Sequence, residues 1–432
     1  MNDAAAVIKQ HLIDPEICIR CNTCETMCPV GAISHDARNY VVDAGKCNWC
    51  NDCISPCPTG AIDNYRQMPP SRAYSVQEQY GWDSLPAPLP PSAWATSDAP
   101  AAALPAQPSA DAALQVTPGL QINPEPAATA LSSAHYSASV PPWSAAHAYT
   151  QLYGPKAAQK TVLARCMGNV RVTEVGREYD THHIVLDFGA MPFPVLEGQS
   201  IGIVPPGLGA NGQPHHARQY SVSSPRNGER PGYNNLSLTV KRVLQDPHGK
   251  PTRGVASNYL CDLKVGDEVQ VIGPFGSSFL MPNHPKSHIV MICTGTGSAP
   301  MRAMTEWRRR LRQSGKFEGG KLMLFFGART REDLPYFGPL QNLPKDFIDI
   351  NFAFSRTPGA PKRYVQDLIR ERAADMAALL ADEQSYFYVC GLKAMEEGVL
   401  LALQSVANDA GLDWPALATT LKQQGRLHLE TY

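Results

Sequence analysis

Eight of the twelve cysteines in this 432-residue chain fall between Cys18 and Cys57, and they form a repeat. Cys18-Ile-Arg-Cys21-Asn-Thr-Cys24-Glu-Thr-Met-Cys28-Pro29-Val-Gly31-Ala32-Ile33 returns 29 residues later as Cys47-Asn-Trp-Cys50-Asn-Asp-Cys53-Ile-Ser-Pro-Cys57-Pro58-Thr-Gly60-Ala61-Ile62. Two half-units facing each other across a pseudo-twofold axis are expected. Thiols clustered in a chain whose start, Met1-Asn2-Asp3-Ala4, carries no basic-then-apolar leader point to metal rather than to disulfides. The spacing Cys-x2-Cys-x2-Cys-x3-Cys-Pro is a two-cluster iron–sulfur run in which the fourth cysteine serves the other cluster. It assigns Cys18, Cys21, Cys24 and Cys57 to one [4Fe–4S] cluster, and Cys47, Cys50, Cys53 and Cys28 to the second. The competing reading is zinc, which favours paired Cys-x2-Cys knuckles with four ligands per ion. Two complete runs, each closed by Cys-Pro, argue against it. Cys166, Cys261 and Cys293 stand singly and read as small buried hydrophobes.

The length suggests about three domains. Residues 1–66 hold the cysteine repeat. From 67 to 150 the composition turns to Pro, Ala and Ser, as in Pro86-Ala-Pro-Leu-Pro-Pro-Ser-Ala. Such a stretch buries too little apolar surface to offset its ordering entropy, so a disordered linker is expected. At about 5–6 Å × √n it would span roughly 50 Å, enough for the first domain to swing. Residues 151–286 read as short strands with turns, the signature of a β-barrel; 236–241 alternate cleanly. From 287 to 432, buried apolar strands at 289–293, 322–326 and 386–389 alternate with helical stretches, predicting a parallel α/β sheet with a helix starting near Met301. The fold class is thus multidomain, α+β and α/β. A net charge of -1 gives no reason to expect nucleic acid or an anionic membrane. No run of about 18 apolar residues predicts a membrane span, and a cytoplasmic protein is expected.

Motifs in the second half carry a resemblance. Arg218-Gln-Tyr220-Ser221, Gly254-Val-Ala256-Ser257, Thr294-Gly295-Thr296-Gly297-Ser298-Ala299-Pro300, Ser355-Arg356 with Tyr364, Cys390-Gly391-Leu-Lys393-Ala-Met395 and the ending Glu430-Thr-Tyr432 together resemble the plant-type ferredoxin–NADP+ reductase family, nearly end to end from about residue 155. The resemblance implies FAD and NADPH. It gives Arg218 and the helix start at Gly254, Ala256 and Ser257 to the FAD pyrophosphate. Tyr220 then packs on the isoalloxazine, Ser221 hydrogen-bonds near flavin N5, and the strand with Val240 and Lys241 passes the flavin, Lys241 reaching towards the nicotinamide phosphates. Thr294, Gly295 and Gly297 would let backbone approach the dinucleotide. Ser355, Arg356 and Tyr364, helped by Lys362 and Arg363, would hold the adenosine 2′-phosphate, for which a guanidinium suits better than the acid an NAD site places there. Cys390, with Gly391, would sit against nicotinamide C4 during hydride transfer. Tyr432 would stack on the flavin and Glu430 would bond the Ser–Cys cluster. Ser298 and Cys293 depart from the family, which usually has Ile and Gly there.

A reductase with its own iron–sulfur head resembles the reductase components of oxygenase systems. That implies a separate electron acceptor, a di-iron oxygenase acting on benzoyl-CoA being the expectation. A general ferredoxin–NADP+ oxidoreductase, the electron-input subunit of another redox complex, and a non-catalytic carrier or docking protein remain alternatives. A homodimer stays open.

Overall fold

The computed structural model describes residues 7–88 and 151–432, apart from 55, 56, 58, 158, 178, 210, 247, 248 and 318, and only the backbone of 337 and 338. The head is built from β1 (Ile8–Leu12), α1 (Thr23–Met27), β2 (Ile33–His35), β3 (Tyr40–Val42), β4 (Asn64–Met68) and α2 (Val76–Tyr80). β1 pairs antiparallel with β4 and β2 with β3, so the two half-units enclose a small core of Ile13, Ile17, Ile33, Val42 and Ile62 with the cysteines around it.

The expected linker boundary at residue 67 needs correction. β4 runs on to Met68, whose side chain is fully buried. Ser75 then caps α2: its hydroxyl accepts from the Glu78 amide, and the Glu78 carboxylate takes the Ser75 amide in return. The buried amide of Gln79 exchanges hydrogen bonds with the Val42 backbone, N–H to side-chain oxygen and side-chain nitrogen to carbonyl. Residues up to the high eighties therefore belong to the head. The rest of the expected linker, 89–150, lies outside the described residues.

The body has two parts. β5 (Val162–Arg171), β6 (Thr181–Asp187), β7 (Ser200–Val204), β8 (Arg218–Ser221), β9 (Asn235–Lys241) and β10 (Glu268–Phe275) form an antiparallel sheet in the order 8-7-10-5-6-9, with α3 (Val255–Asp262) against it. Val222, one residue beyond β8, bridges Leu238 of β9 and closes the sheet into a barrel. Leu236, Leu238 and Val240 point into its core, as the alternation predicted. The second part is a parallel sheet of β11 (His288–Thr294), β12 (Leu322–Ala328), β13 (Ile348–Phe354), β14 (Ser385–Gly391) and β15 (Leu427–Thr431), in the order 13-12-11-14-15. Its helices are α4 (Ser298–Gln313), α5 (Phe337–Gln341), α6 (Val365–Glu371), α7 (Ala373–Ala381), α8 (Lys393–Asp409) and α9 (Trp414–Gln423). Val290 and Ile292 feed one core while Ile289, Met291 and Cys293 feed the other, which is why the strand reads as an unbroken apolar run. α4 begins at Ser298 rather than near Met301; Pro300 falls in its first turn, where a missing N–H costs nothing.

The head rests on the body. Arg309 of α4 reaches Asp14 at 3.4 Å and Glu16 at 3.5 Å, and its Nε donates to Glu306 at 3.0 Å. Arg230 forks onto Asp63 at 2.9 and 3.0 Å, and Asn342 donates to the Pro15 carbonyl. One guanidinium among three buried carboxylates leaves negative charge short of compensation: burial, then Asp14, pushes Glu16 up to about 7.

Candidate functional site

The chain runs outward from β11 to β12 and β13, then returns to the other side of β11 as β14. At such a switch point the carboxyl ends of adjacent strands leave a crevice. Thr294 ends β11 and Cys390-Gly391 ends β14, with Cys293 in register with Cys390. The turn Gly295–Gly297 crosses between them. A Cβ on Gly297 would lie 2.2 Å from the Cys390 carbonyl oxygen, and one on Gly391, at φ +148°, would lie 2.4 Å from the Thr294 hydroxyl. Only glycine permits this approach.

β15 adds the rest. Cys390 pairs with Glu430 and Gly391 with Thr431; the Tyr432 amide donates to the Gly391 carbonyl, and its phenol meets the Thr296 hydroxyl at 2.8 Å. Burial, then Glu430, pushes the Cys390 thiol up, and burial raises Glu430 as well, so both hold their protons more tightly. The Thr294 hydroxyl, the Ser298 hydroxyl and one Glu430 oxygen are buried without a hydrogen-bond partner among the described residues. Three orphaned polar atoms around one crevice fit a polar ligand that completes them.

On the barrel side, β8 presents Arg218, Tyr220 and Ser221. The Arg218 guanidinium is exposed, among the described residues held only by long bonds to the His216 and Ala217 carbonyls at 3.5 and 3.4 Å, and shares a cleft with Gly254, Val255 and Ala256 at the start of α3. An uncommitted guanidinium beside the open amides of an eight-residue helix fits a pyrophosphate. Ser257 is less free than expected, since its hydroxyl accepts the Val243 amide at 3.2 Å. Val240 is sealed in the barrel core, leaving only its backbone to meet a ligand. Tyr220 is half-buried against that core.

Ser355 and Arg356 follow β13, their amides donating to the Ala328 and Arg329 carbonyls. Arg356 is exposed, and no hydrogen bond or ion pair engages its side chain among the described residues. The Arg363 amide returns to the Phe354 carbonyl, bringing Tyr364 back to the same strand end, although the Arg363 charge is taken by Glu371. Arg329 went unnoticed in the sequence. It lies just beyond β12, and its guanidinium sits 4.5 Å from the ring centre of Tyr179, over which the Lys241 ammonium also lies at 3.4 Å. Its position after a parallel strand was the signal that could have found it.

In the head, Cys18, Cys21, Cys24 and Cys57 line one cavity with Ile13 and Tyr40. Charge interactions group the thiols the same way: Cys18, Cys21 and Cys24 feel Cys57, whereas Cys47 and Cys53 feel Cys28 and Cys50. Arg20 and Asn22, and their repeat mates Trp49 and Asn51, all adopt left-handed backbone at φ 58–66°. Four such residues cost about 1–3 kcal/mol each, and that strain curls both loops around their thiols. A zinc ion needs its donors within a few ångströms of each other. Among the described residues no three donors are so gathered, although four thiols wall one cavity.

A parallel sheet with a crevice at its strand-order switch, joined to a barrel with its own cleft, makes a two-part body, and comparison with known proteins gives its class. Residues 291–400 match the oxidoreductase NAD-binding domain, and residues 11–34 match the 4Fe-4S binding domain. The cyanelle ferredoxin–NADP reductase of Cyanophora paradoxa is 37% identical over 281 residues, 62% of this chain and 76% of the relative. The Spirulina enzyme of the same name is 35% identical, and the match covers 97% of it. The ferredoxin–NADP+ reductase structure from Plasmodium falciparum superposes with a TM-score of 0.51 at 22% identity, covering 64% of this chain and 98% of that one, which supports the fold. The chain belongs to the ferredoxin–NADP reductase family, and it is an oxidoreductase carrying an iron–sulfur motif.

Proposed function

We propose that this enzyme moves electrons from NADPH through FAD and two [4Fe–4S] clusters to a partner oxygenase, as the reductase component of a benzoyl-CoA 2,3-epoxidase. The observation that carries the reading is a cavity walled by four thiols, in a head with a second run of the same cysteine spacing, seated directly on a reductase body. Bound in such a body, a flavin supplies the exchange between two-electron and one-electron partners. The chain's own residues bind and orient. Arg218 and the start of α3 hold the flavin pyrophosphate. Gly297 and Gly391 draw the ends of β11 and β14 together so that Cys390 faces the nicotinamide. Burial holds the proton on the Cys390 thiol, which can donate a hydrogen bond there, and burial also raises the neighbouring Glu430 carboxyl above its usual range. Tyr432 covers the crevice until the nicotinamide displaces it.

The acceptor is tested by adding NADPH, benzoyl-CoA and a candidate di-iron oxygenase to the reductase. Substrate-dependent NADPH oxidation is expected. Oxidation that responds only to a soluble ferredoxin would favour the second reading, a general ferredoxin–NADP+ oxidoreductase, which the names of the relatives suggest.

Nucleotide choice gives a sharper prediction. Arg356→Ala should lower affinity for NADPH by about one to two decades, the worth of a lost charged hydrogen bond of about 1.5–3 kcal/mol. NADH, lacking the 2′-phosphate, should be used almost as before. Equal losses with both nucleotides in steady-state kinetics would assign Arg356 a structural role instead.

A further inference from the structure

The head's two halves share their cysteine pattern but not their surroundings. Ile17 and Ile19, which flank Cys18, are each only 8% exposed. Their repeat mates, 29 positions on, are Lys46 and Asn48, and that second loop is open to solvent at Asn48, Cys50, Asn51 and Asp52. The asymmetry has a visible cause. Ile17 and Ile19 line a cavity whose other wall includes Cys293, Ser298 and Tyr336 of the body, and Ile19 also lines the cavity of Cys18, Cys21, Cys24 and Cys57. The apolar pair thus lies between one thiol set and the end of β11, beside the nucleotide crevice.

Burial of two isoleucines favours contact but tolerates rotation; charge does not. Asp14 and Glu16 precede Ile17, and both point at Arg309, whose side chain is 4% exposed. The mate of Asp14 is Asp43, which accepts the Gly45 amide just as Asp14 accepts that of Glu16, but the mate of Glu16 is Gly45, which has no carboxylate. The second half therefore cannot present two carboxylates to Arg309. Docking the head the other way round would leave the buried Arg309 with Glu306 of its own helix and without the two head carboxylates that now face it.

Resting on the two-cluster reading above, we infer that Arg309 is a positioning residue that turns the Cys18, Cys21, Cys24 and Cys57 set towards the reductase body and leaves the Cys28, Cys47, Cys50 and Cys53 set facing the solvent, where an external acceptor protein meets it. The inner set is the more shielded, with Cys24 and Cys57 buried and Cys18 and Cys21 half-buried, whereas the outer set has one buried thiol, Cys53, and one exposed, Cys50.

The test uses reduced full-length protein and an aqueous dysprosium chelate, which relaxes paramagnetic centres near the surface. Electron paramagnetic resonance should show one iron–sulfur signal losing amplitude through broadening and one unaffected. Cys50→Ala should perturb the sensitive signal, and Cys21→Ala the shielded one. In Arg309→Glu both signals should become sensitive. The inference is overturned if the Cys21-linked signal is the sensitive one in the unaltered protein, if both are equally sensitive there, or if Arg309→Glu keeps the inner signal shielded. Absence of any iron–sulfur signal from anaerobically prepared protein would instead remove the two-cluster reading on which the inference stands.

Discussion

Arg302→Met is expected to destabilise the body by about 3–5 kcal/mol, measured by denaturant unfolding at neutral pH. Glu229 belongs to the barrel yet is 2% exposed, and Arg302 on α4 grips it through two bonds of 2.8 Å. Ser237 donates to the same carboxylate at 2.7 Å, and Arg302 also donates to the Ser223 carbonyl. His183 adds a contact at 3.5 Å and bonds the Tyr336 phenol, which also meets Thr239 of β9. Burial alone would raise Glu229, but Arg302, then His183, holds it well below the usual carboxylate range. A depressed carboxyl contributes stability above its unfolded value, and that stability is lost as pH falls through the folded one. In Arg302→Met the sign reverses. The carboxyl stays buried without its cation, its folded value rises, and the deficit shrinks as the pH falls and Glu229 takes up a proton. The double variant Arg302→Met with Glu229→Gln should recover much of the loss, because a neutral amide tolerates burial. A deficit below about 1 kcal/mol, or one that grows on acidification, would show that the pair does not hold the two parts together.

This network was invisible in the sequence. Glu229 and Arg302 are far apart in the chain, and neither sits in a motif, since a buried pair leaves no periodicity. The same holds for Arg309 and Asp14, which anchor the head, and so the sequence suggested a swinging head where the structure places a seated one. Local patterns were legible. The repeat of Cys-x2-Cys-x2-Cys-x3-Cys-Pro singled out Cys18, Cys21, Cys24 and Cys57, which line one cavity. The continuous apolar β11 reported two-sided burial, whereas the alternating β9 is buried on both faces too, its Ser237 and Thr239 bonded to Glu229 and Tyr336.

Where composition and local chemistry disagreed, composition misled. Proline and serine around residues 69–75 suggested a linker from 67. Yet Ser75-Val-Gln-Glu78 is a capping box, and Gln79 belongs to a buried hydrogen-bond network. Resemblance singled out Thr294, Cys390 and Glu430, and the strand order explains why residues so distant in sequence meet. It did not supply Arg329 or Tyr179, because a basic residue beyond a strand acquires meaning only when the neighbouring strand ends are known. Lys241 shows the same limit: its ammonium lies over Tyr179, a partner that no motif announced.

The two glycines of the crevice turn should separate binding from chemistry. Gly297→Ala places a Cβ 2.2 Å from the Cys390 carbonyl oxygen and 2.6 Å from its carbon, both backbone atoms that cannot swing aside. The ends of β11 and β14 must part by about 1 Å, which moves Cys390 away from a nicotinamide lying against Thr294. A displacement of that size costs on the order of 100-fold in rate, so kcat should fall about that far. Gly295 differs: its φ is +55°, but nothing in the protein lies within 4 Å of its missing Cβ. Alanine there costs about 1–2 kcal/mol of backbone strain and leaves Cys390 where it is. If the open space beside Gly295 is where the dinucleotide phosphates approach the backbone, a methyl group intrudes on them. KM for NADPH should then rise about tenfold while kcat stays within a few-fold. Steady-state kinetics with ferricyanide as acceptor read both variants without involving the partner protein. Equal kcat losses in both would mean that the turn acts as one rigid element, and an unchanged kcat in Gly297→Ala would place hydride transfer away from the ends of β11 and β14.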